Sequence, residues 1–468
     1  MVTMTSLAII GGGPGGYEAA LVAAALGAEV TLIERQGLGG NAVLTDVVPS
    51  KTVIATAEWL TIADRAPQLG IRGEHGEATS GAGHHTVDLG AVNTRVAELV
   101  RKQSSDITSR LEHSGVRIMR GQARLDGADA VVVGDERIEV DNILLAVGAR
   151  PRVVEGCEPD GERVLTWTQL YGLDHVPEHL VVVGSGVTGA EFAGAYRTLG
   201  AEVTLISSGD RVLAREDPEA AEYVQHEFAS RGMHVMGGTR ASRVVNTGDG
   251  VRVTLNDGAV VEGSHCLMAV GSVPNTDALA LDSAGVRLTP HGFIEVDRVS
   301  RTNVRGIYAA GDCTGVLPLA SVAAAQGRIA VAHALGDAVA PIELSTVATN
   351  VFTVPEIAAV GASEADLKRR GIFYEVSRID LARNPRAKML GIDAGFVKIF
   401  GHTVTGQVLG AVVVGPRAGE HIFPLTLAVT HHLTVDDVAS AFTVYPSLAG
   451  TIAEAARTLH RMTEQEQA

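Results

Sequence analysis

The chain has 468 residues, of which 46% are hydrophobic, 20% charged and only 4% aromatic. This length predicts about three domains with ample material for their cores, because domains average ~150 residues. The net charge of −16 gives no electrostatic reason to bind nucleic acid or an anionic membrane, and the few aromatic side chains argue against a base-stacking or sugar-stacking surface.

Targeting and metal-binding signals are weak throughout the sequence. No stretch approaches the ~18 uninterrupted apolar residues of a membrane span, and the N-terminal apolar run leads directly into a glycine motif, which predicts a strand instead of a signal peptide. Cys157, Cys266 and Cys313 lie far apart, which indicates a reducing compartment with neither a disulfide framework nor a zinc site. The adjacent pairs His84-His85 and His431-His432 do not share a helical face, so no metal is expected. We therefore expect a soluble cytoplasmic protein.

The first elements follow the pattern of a nucleotide-binding fold. Residues 6–10 form a short apolar strand, a helix is predicted over 17–26, and residues 29–33 form a second strand that ends at Glu34. The loop before the helix fits the fingerprint GxGxxG, in which glycines make the turn, admit a pyrophosphate and let the helix pack on the strand. Its candidate cofactor residues are Gly11, Gly13, Pro14, Gly15 and Gly16. We expect the pyrophosphate at the helix N-terminus and the ribose hydroxyls at Glu34.

The next distinctive stretch, residues 39–51, reads GGNAVLTDVVPSK. Its paired glycines, Gly39 and Gly40, let a backbone pass close to a bulky ligand. Pro49 fixes its own φ and is expected to hold Val48 in an extended conformation. The turn that presents Lys51 is therefore predicted to be stiff before anything binds.

With its surroundings, this stretch resembles the active-site helix of the pyridine nucleotide–disulfide oxidoreductases, the family of dihydrolipoamide dehydrogenase, glutathione reductase and mercuric reductase. The family pattern is GGxCxxxxCxPSK, in which two cysteines pass electrons from the flavin to a disulfide substrate. Here the two cysteine positions are occupied by Ala42 and Val47. Because a methyl and an isopropyl group cannot carry electrons, the resemblance implies flavin chemistry without the dithiol relay.

Two following segments resemble further parts of the family's FAD site. An amphipathic pattern over 92–114 predicts a long helix, and a strand around 116–119 leads into Gly121-Gln122-Ala123, which resembles the segment whose backbone contacts the adenine. Residues 143–149 resemble the family's ATG motif and contain Gly148. A related stretch with Gly271 recurs at 267–276, where the chain is expected to leave the second nucleotide domain.

That second domain is predicted from an internal repeat. The segment LGAEVTLI stands at 26–33 and again at 199–206, and the glycines before it repeat the register of the first loop. The repeated glycines are Gly184, Gly186 and Gly189. Two dinucleotide folds imply electron transfer between two dinucleotides.

The two copies differ at the residue expected to contact the ribose. Where the first copy has Glu34, the second has Ser207, with Arg211 and Arg215 nearby. An acid would repel a 2′-phosphate, whereas small hydroxyls and an arginine could accommodate it. We therefore expect NADPH to be accepted without excluding NADH, and either arginine could equally be a solvated loop residue.

The second half of the FAD site is predicted at 302–312. TNVRGIYAAGD resembles the family's second FAD fingerprint, in which an apolar strand delivers an aspartate, here Asp312, to the ribitol hydroxyls. A small-residue helix is predicted to begin at 319. The resemblance implies that its N-terminus, near Ala320, faces the pyrimidine end of the flavin and stabilises negative charge there.

The resemblance also implies an ion pair beside the flavin. In the family the lysine of PSK pairs with a glutamate just after the second glycine fingerprint, and this chain keeps both as Lys51 and Glu191. Each charge needs the other, because a lone buried charge is costly. The lysine would lie near flavin N5 and the glutamate on the nicotinamide side, and the alternative is a purely structural pair.

Residues 345–468 resemble the family's dimerisation domain, with strands predicted at 396–400 and 407–415. Active disulfide reductases end close to HAHPTxxE, whose second histidine and glutamate act across the dimer. Here Tyr445 takes the histidine position and Gly450 the glutamate position. A phenol of pKa ~10 is a poor thiolate partner and glycine orients nothing, so these changes indicate a different reaction.

The sequence thus predicts an α/β flavoprotein with two Rossmann-like dinucleotide-binding domains, for FAD and NAD(P), and a C-terminal α+β dimerisation domain. FAD is expected at 1–152 and 274–344, NAD(P)H at 153–273, and a homodimer contact at 345–468. Electrons would pass from NADPH or NADH through FAD to a quinone, as in family members without the redox cysteines. Tyr445 would hydrogen-bond a quinone oxygen or simply pack. The alternatives are a pyridine nucleotide transhydrogenase and a non-catalytic flavin-binding or adhesion protein. The retained Lys51, Glu191 and Asp312 argue against the non-catalytic alternative.

Overall fold

The computed structural model describes residues 4–72 and 86–460. Within these ranges the strands, in chain order, are β1 Ser6–Ile10, β2 Glu29–Glu34, β3 Arg117–Arg120, β4 Ala123–Leu125, β5 Ala130–Val133, β6 Glu136–Glu139, β7 Asn142–Leu145, β8 Ala149–Pro151, β9 Val164–Thr166, β10 His179–Val183, β11 Glu202–Ile206, β12 His234–Met236, β13 Ala241–Asn246, β14 Val251–Leu255, β15 Val260–Gly263, β16 His265–Met268, β17 Ser272–Pro274, β18 Ile307–Ala309, β19 Thr349–Val351, β20 Glu356–Gly361, β21 Tyr374–Asp380, β22 Phe396–His402 and β23 Val408–Gly415.

The α-helices in the same ranges are α1 Pro14–Ala25, α2 Gly40–Leu44, α3 Val47–Ala63, α4 Leu89–His113, α5 Val187–Leu199, α6 Pro218–Ser230, α7 Ala320–Ala334, α8 Glu364–Arg369, α9 Pro385–Met389, α10 Ala418–His421, α11 Phe423–Thr430, α12 Val435–Ser440 and α13 Gly450–Arg457. No helix in the described part of the chain is long and apolar enough to cross a membrane.

Two parallel sheets of the same design form the first part of the molecule. Their strand orders are β18-β7-β1-β2-β3 and β12-β11-β10-β16-β9, and the two central pairs share one register, Ser6 with Glu29 and His179 with Glu202. The central strands β1 and β10 are almost entirely buried, as expected for parallel strands covered on both faces. The repeated nucleotide fold predicted from the sequence is confirmed.

Short antiparallel elements complete each half. The sheet β4-β5-β6 lies between β3 and β7 in the chain, and the sheet β13-β14-β15 lies at the equivalent position between β12 and β16. Strands β8 and β17 form an antiparallel ribbon where the chain passes from the first parallel sheet to the second and back again. The predicted boundaries near residues 152 and 273 fall at this ribbon. The limits of the domains remain predictions.

The C-terminal part is an antiparallel sheet in the order β19-β20-β23-β22-β21. Its buried apolar face packs on helices α11 and α13, which gives the α+β arrangement expected from the sequence. Strands β22 and β23 lie where residues 396–400 and 407–415 were predicted.

The expectation of an extended Val48 is wrong. Helix α3 already begins at Val47, so Val48 and Pro49 lie in its first turn. The N–H groups of a first helical turn have no partner within the helix, and a proline there therefore removes no hydrogen bond. Lys51 consequently projects from a continuous helix and not from a separate turn.

Candidate functional site

A cavity of about 370 Å³ opens at the carboxyl ends of β1, β2 and β7. From β1 the strand order continues to β2 on one side and to β7 on the other. Ligands of such parallel sheets bind at the position where the strand order reverses. Most residues predicted to hold FAD lie in its wall: Gly11, Gly13, Pro14, Gly15, Glu34, Gly40, Gly121, Ala123, Gly148, Asp312 and Ala320.

Gly11 and Gly16 leave no room for side chains beneath this cavity. A Cβ on Gly11 would lie 2.3 Å from the Ala146 carbonyl oxygen, and a Cβ on Gly16 would lie 1.8 Å from the Gly11 carbonyl oxygen. Gly13 is the N-cap of α1, and it supplies no capping side chain to the free N–H groups of the first turn. These N–H groups fit a pyrophosphate at the helix N-terminus.

Glu34 lies at the end of β2 and is held by the backbone. Its Oε2 accepts a 2.6 Å hydrogen bond from the Gly12 N–H, and its Oε1 accepts one of 2.7 Å from the Gln36 N–H. Each carboxylate oxygen has a second lone pair for a hydroxyl. The position therefore fits the predicted contact with a ribose.

The second nucleotide loop repeats this geometry. A Cβ on Gly184 would lie 2.2 Å from the Ala269 carbonyl oxygen, and one on Gly189 would lie 1.8 Å from the Gly184 carbonyl oxygen. Gly186 is the N-cap of α5, where a Cβ would meet nothing within 4 Å. The loop is therefore closed on its inner side and open where a nucleotide would approach.

The residues predicted to select the nucleotide are more enclosed than the sequence suggested. Ser207 is fully buried, and its hydroxyl accepts a hydrogen bond of 2.7 Å from Ser185 and donates one of 2.8 Å to the Gly209 carbonyl. Arg211 lies 3.6 Å from Glu222. A contact between the Ser207 hydroxyl and a 2′-phosphate would require these internal bonds to be given up. Arg215 is exposed. Gly271 is also exposed, and a Cβ there would meet nothing within 4 Å.

Lys51 and Glu191 form the predicted ion pair. The Lys51 Nζ lies 2.6 Å from the Glu191 Oε2, and Glu191 is only 3% exposed. The Glu191 Oε1 accepts a 2.9 Å hydrogen bond from the Phe352 N–H, and the lysine nitrogen lies 4.9 Å from the centre of the Phe352 ring. The pair lies beside the wall of the cavity and not within it.

The sequence reasoning overlooked Asp46, which does lie in the cavity wall together with Ala42 and Val47. Burial raises the pKa of Asp46, an effect that Lys51 opposes. Burial also raises the pKa of Asp312 to about 6, with a further contribution from Asp46. An acid between the two positions of the family's cysteines is the signal that could have identified this residue.

Tyr445 is not brought to the site within one chain. Its side chain is 83% exposed and does not line the cavity. Gly450, at the family's glutamate position, begins α13. His431 and His432 follow α11, His84-His85 lies outside the described residues, and no group of three or more potential metal ligands occurs within 4–72 and 86–460.

Comparison with known proteins agrees with this architecture. Residues 5–327 match the family model described as pyridine nucleotide-disulphide oxidoreductase, and residues 347–456 match its dimerisation domain. A protein of Mycobacterium tuberculosis named NAD(P)H dehydrogenase (quinone) is 49% identical, over 97% of this chain and 94% of that one. A dihydrolipoyl dehydrogenase of Chlamydia muridarum is 33% identical, over 96% of this chain and 95% of that one.

Solved structures show the same fold. The crystal structure of LpdA from Mycobacterium tuberculosis has a TM-score of 0.92 and 48% identity, covering 98% of this chain and all of that chain. The flavoprotein disulfide reductase RclA from Escherichia coli has a TM-score of 0.86 at 23% identity, over 97% of this chain and 99% of that one, a likeness of fold alone. FAD and NAD(P)H are the cofactors of this oxidoreductase. The chain belongs to the pyridine nucleotide–disulphide oxidoreductase family.

Proposed function

We propose that this enzyme oxidises NAD(P)H and reduces a quinone-type acceptor without a disulfide relay. The observation that carries the proposal is the pair Ala42 and Val47 in the wall of the cavity, where the family pattern has its two cysteines. FAD, when bound, supplies a carrier that takes up two electrons and releases them. Because neither Ala42 nor Val47 can be oxidised reversibly, the electrons must leave to a diffusible acceptor.

The chain's own groups would hold FAD along the cavity. The free N–H groups at the start of α1 would bind the pyrophosphate, Glu34 the ribose hydroxyls and Asp312 the ribitol. The backbone at Gly40, Gly121, Ala123 and Gly148 would lie against the flavin nucleotide, and the N-terminus of α7 at Ala320 would stabilise negative charge.

NAD(P)H would bind at the second loop, with its pyrophosphate at the start of α5. Gly184 and Gly189 keep the loop closed on its inner side, and Gly186 leaves the outer side open. Lys51 and Glu191 would then orient the nicotinamide beside the flavin. The pair is well fixed for this task, since Glu191 is held by both Lys51 and the Phe352 backbone.

The acceptor side of the cavity suits a flat apolar ring. Ala42 and Val47 present aliphatic surface beside a half-buried acid, and a quinone takes up two electrons and two protons at its carbonyl oxygens. The name of the Mycobacterium tuberculosis relative, NAD(P)H dehydrogenase (quinone), supports the same class of acceptor.

We further propose a cytoplasmic homodimer. The match to the dimerisation domain and the exposed apolar side chains of Phe423, Phe442, Val444 and Tyr445 support self-association. In the dimer, Tyr445 would reach the partner's site and donate a hydrogen bond to a quinone oxygen. The three buried, unpaired cysteines are consistent with a reducing compartment.

Anaerobic titration tests the proposal. One two-electron equivalent of NADPH or NADH per FAD should bleach the flavin absorbance completely, and 1,4-benzoquinone should then restore it. Oxidised lipoamide, the control, should restore it far more slowly. A second two-electron equivalent per FAD, or recovery with lipoamide at the benzoquinone rate, would contradict the proposal. Efficient hydride exchange between NADH and an NADP⁺ analogue, without recovery by quinone, would favour a transhydrogenase.

A further inference from the structure

Asp46 is a carboxyl group in the cavity wall with no structural task in the described parts of the chain. It is the N-cap residue of α3, a place where an aspartate normally accepts a hydrogen bond from the first turn, yet its side chain accepts none there. Its backbone is fixed instead, because its N–H donates to the Asn41 carbonyl at 2.8 Å and its carbonyl accepts from the Ser50 N–H at 2.7 Å. The backbone of Asp46 is therefore held in place, and its carboxyl remains available to a ligand.

Four ionisable side chains from different elements face this carboxyl. Lys51 belongs to the same helix, Glu191 to α5, Asp312 to the turn after β18, and Tyr171 to the short 3-10 helix Leu170–Gly172. Burial and the carboxylate of Glu191 favour the protonated form of Asp46, and only Lys51 favours the ionised form. The group is therefore placed to keep a proton at higher pH than an ordinary aspartate and to release it with a cation close by.

The neighbouring groups are less suited to proton delivery. Both oxygens of Glu191 are engaged, one with Lys51 and one with the Phe352 N–H. Burial raises the pKa of Tyr171 far above its ordinary value, so this phenol holds its proton too tightly. Asp312 is assigned to the ribitol, which leaves Asp46 as the uncommitted acid beside Val47 in the cavity.

We propose that Asp46 is the catalytic acid that protonates the acceptor, a role that rests on the proposed quinone reduction. The quinone gains two electrons and one proton as the hydride equivalent that originates from NAD(P)H. Its second carbonyl oxygen takes the proton from the Asp46 carboxyl. The products are hydroquinone, NAD(P)⁺ and the Asp46 carboxylate, which Lys51 stabilises until water returns the proton.

The test compares the holoenzyme with Asp46→Asn and Asp46→Glu. After anaerobic reduction by NADPH, re-oxidation by 1,4-benzoquinone should slow by about 100-fold in Asp46→Asn, at the lower end of what a general acid contributes. The wild-type rate should fall as the pH rises through the raised pKa of Asp46. Asp46→Asn should lose this dependence, and Asp46→Glu should retain it.

Two further measurements separate proton donation from a merely structural role. Infrared difference spectra should show carboxyl groups that lose their protons above the ordinary range of an aspartate in the wild type, with one such signal missing in Asp46→Asn and the Asp312 signal still present. The rate of flavin bleaching by NADPH should fall far less in Asp46→Asn than the rate of re-oxidation by benzoquinone. Thr56→Val, a change further along the same helix and outside the cavity wall, should leave re-oxidation at the wild-type rate.

Re-oxidation of Asp46→Asn at the wild-type rate, with an unchanged pH profile, would overturn the inference and leave the proposed function intact. Failure of the wild type itself to be re-oxidised by benzoquinone would instead overturn the proposed function. If Asp46→Asn does not retain FAD, Asp46→Glu decides: a re-oxidation rate independent of pH in that variant overturns the role of the acid.

Discussion

The backbone N–H of Phe352 donates a 2.9 Å hydrogen bond to the Oε1 of Glu191. Phe352 follows the first strand of the C-terminal sheet, whereas Glu191 lies on the helix of the second nucleotide loop. The other carboxylate oxygen of Glu191 holds Lys51 at 2.6 Å. Parts of all three predicted domains are thus joined through one buried carboxylate, which fixes the lysine before any nucleotide binds.

This arrangement predicts that Glu191→Ala is more destabilising than Glu191→Gln. The alanine removes both contacts and leaves Lys51 and the Phe352 N–H without their partner, whereas the glutamine oxygen can still accept from Phe352. We expect a loss of about 1–3 kcal/mol in unfolding free energy for the alanine variant, measured by urea titration. Glu178→Gln, at an exposed glutamate, serves as the control. Equal losses in the two Glu191 variants would contradict the shared role of this carboxylate.

The second glycine loop predicts opposite effects at two neighbouring glycines. Gly184→Ala would place its Cβ 2.2 Å from the Ala269 carbonyl oxygen, so it should destabilise the fold. Gly186→Ala meets nothing within 4 Å, so it should fold and retain FAD. Its methyl group would nevertheless occupy the open side of the loop, where a pyrophosphate would approach.

We therefore expect Gly186→Ala to weaken NAD(P)H binding by at least about 10-fold, or about 1.4 kcal/mol. Flavin bleaching at a series of NADPH concentrations measures this affinity, and thermal unfolding shows whether the fold is retained. Unchanged affinity for NADPH in a fully folded Gly186→Ala variant would show that the nucleotide does not bind at this loop.

Asp312 predicts a pH dependence of stability in the FAD-free protein. Burial, with a smaller effect of Asp46, raises the pKa of its carboxyl to about 6. As pH rises from about 4 to about 6, the folded protein keeps a proton that the unfolded chain has released, so unfolding free energy falls. The loss at Asp312 is at most about 3 kcal/mol, since one pKa unit corresponds to about 1.4 kcal/mol. Urea titrations at pH 4.5 and 7.5 should show a smaller pH effect in Asp312→Asn. An equal effect in both proteins would contradict the prediction.

The sequence was sufficient for the repeated fold because the signals there are local. Glycine spacing, β-branched strands and the segment LGAEVTLI at 26–33 and 199–206 each determine a nearby element. The family pattern also identified Lys51 and Glu191, although they are far apart in the chain.

Other features depend on contacts that a linear pattern does not contain. Burial raises the pKa of Asp46, with a further contribution from Glu191, which is far away in the chain. The family pattern instead drew attention to the missing cysteines on either side of Asp46. The helical Val48 was missed because the restriction before proline was applied without the exception of the first helical turn. The burial of Ser207 likewise follows from Ser185 and Gly209 closing around it.

The buried Ser207 predicts how nucleotide preference can be changed. It stands at the end of β11, where Glu34 stands at the end of β2, and Ser185 corresponds to Gly12. Glu34 accepts a hydrogen bond from the Gly12 N–H at 2.6 Å. In Ser207→Glu, a carboxylate in the same place would repel a 2′-phosphate and accept hydrogen bonds from the ribose hydroxyls of NADH.

We expect Ser207→Glu to raise the KM for NADPH about 10-fold or more while changing that for NADH much less, as measured by steady-state quinone reduction. Ser208→Glu is the matched control, because Ser208 is exposed and does not share the bonds of Ser207. It adds the same charge one residue further on and should have a smaller effect on NADPH. Equal changes in the KM for NADPH and for NADH in Ser207→Glu would mean that the end of β11 does not distinguish the two nucleotides by their ribose 2′ group. The discrimination would then lie elsewhere, with the exposed Arg215 as the next residue to replace.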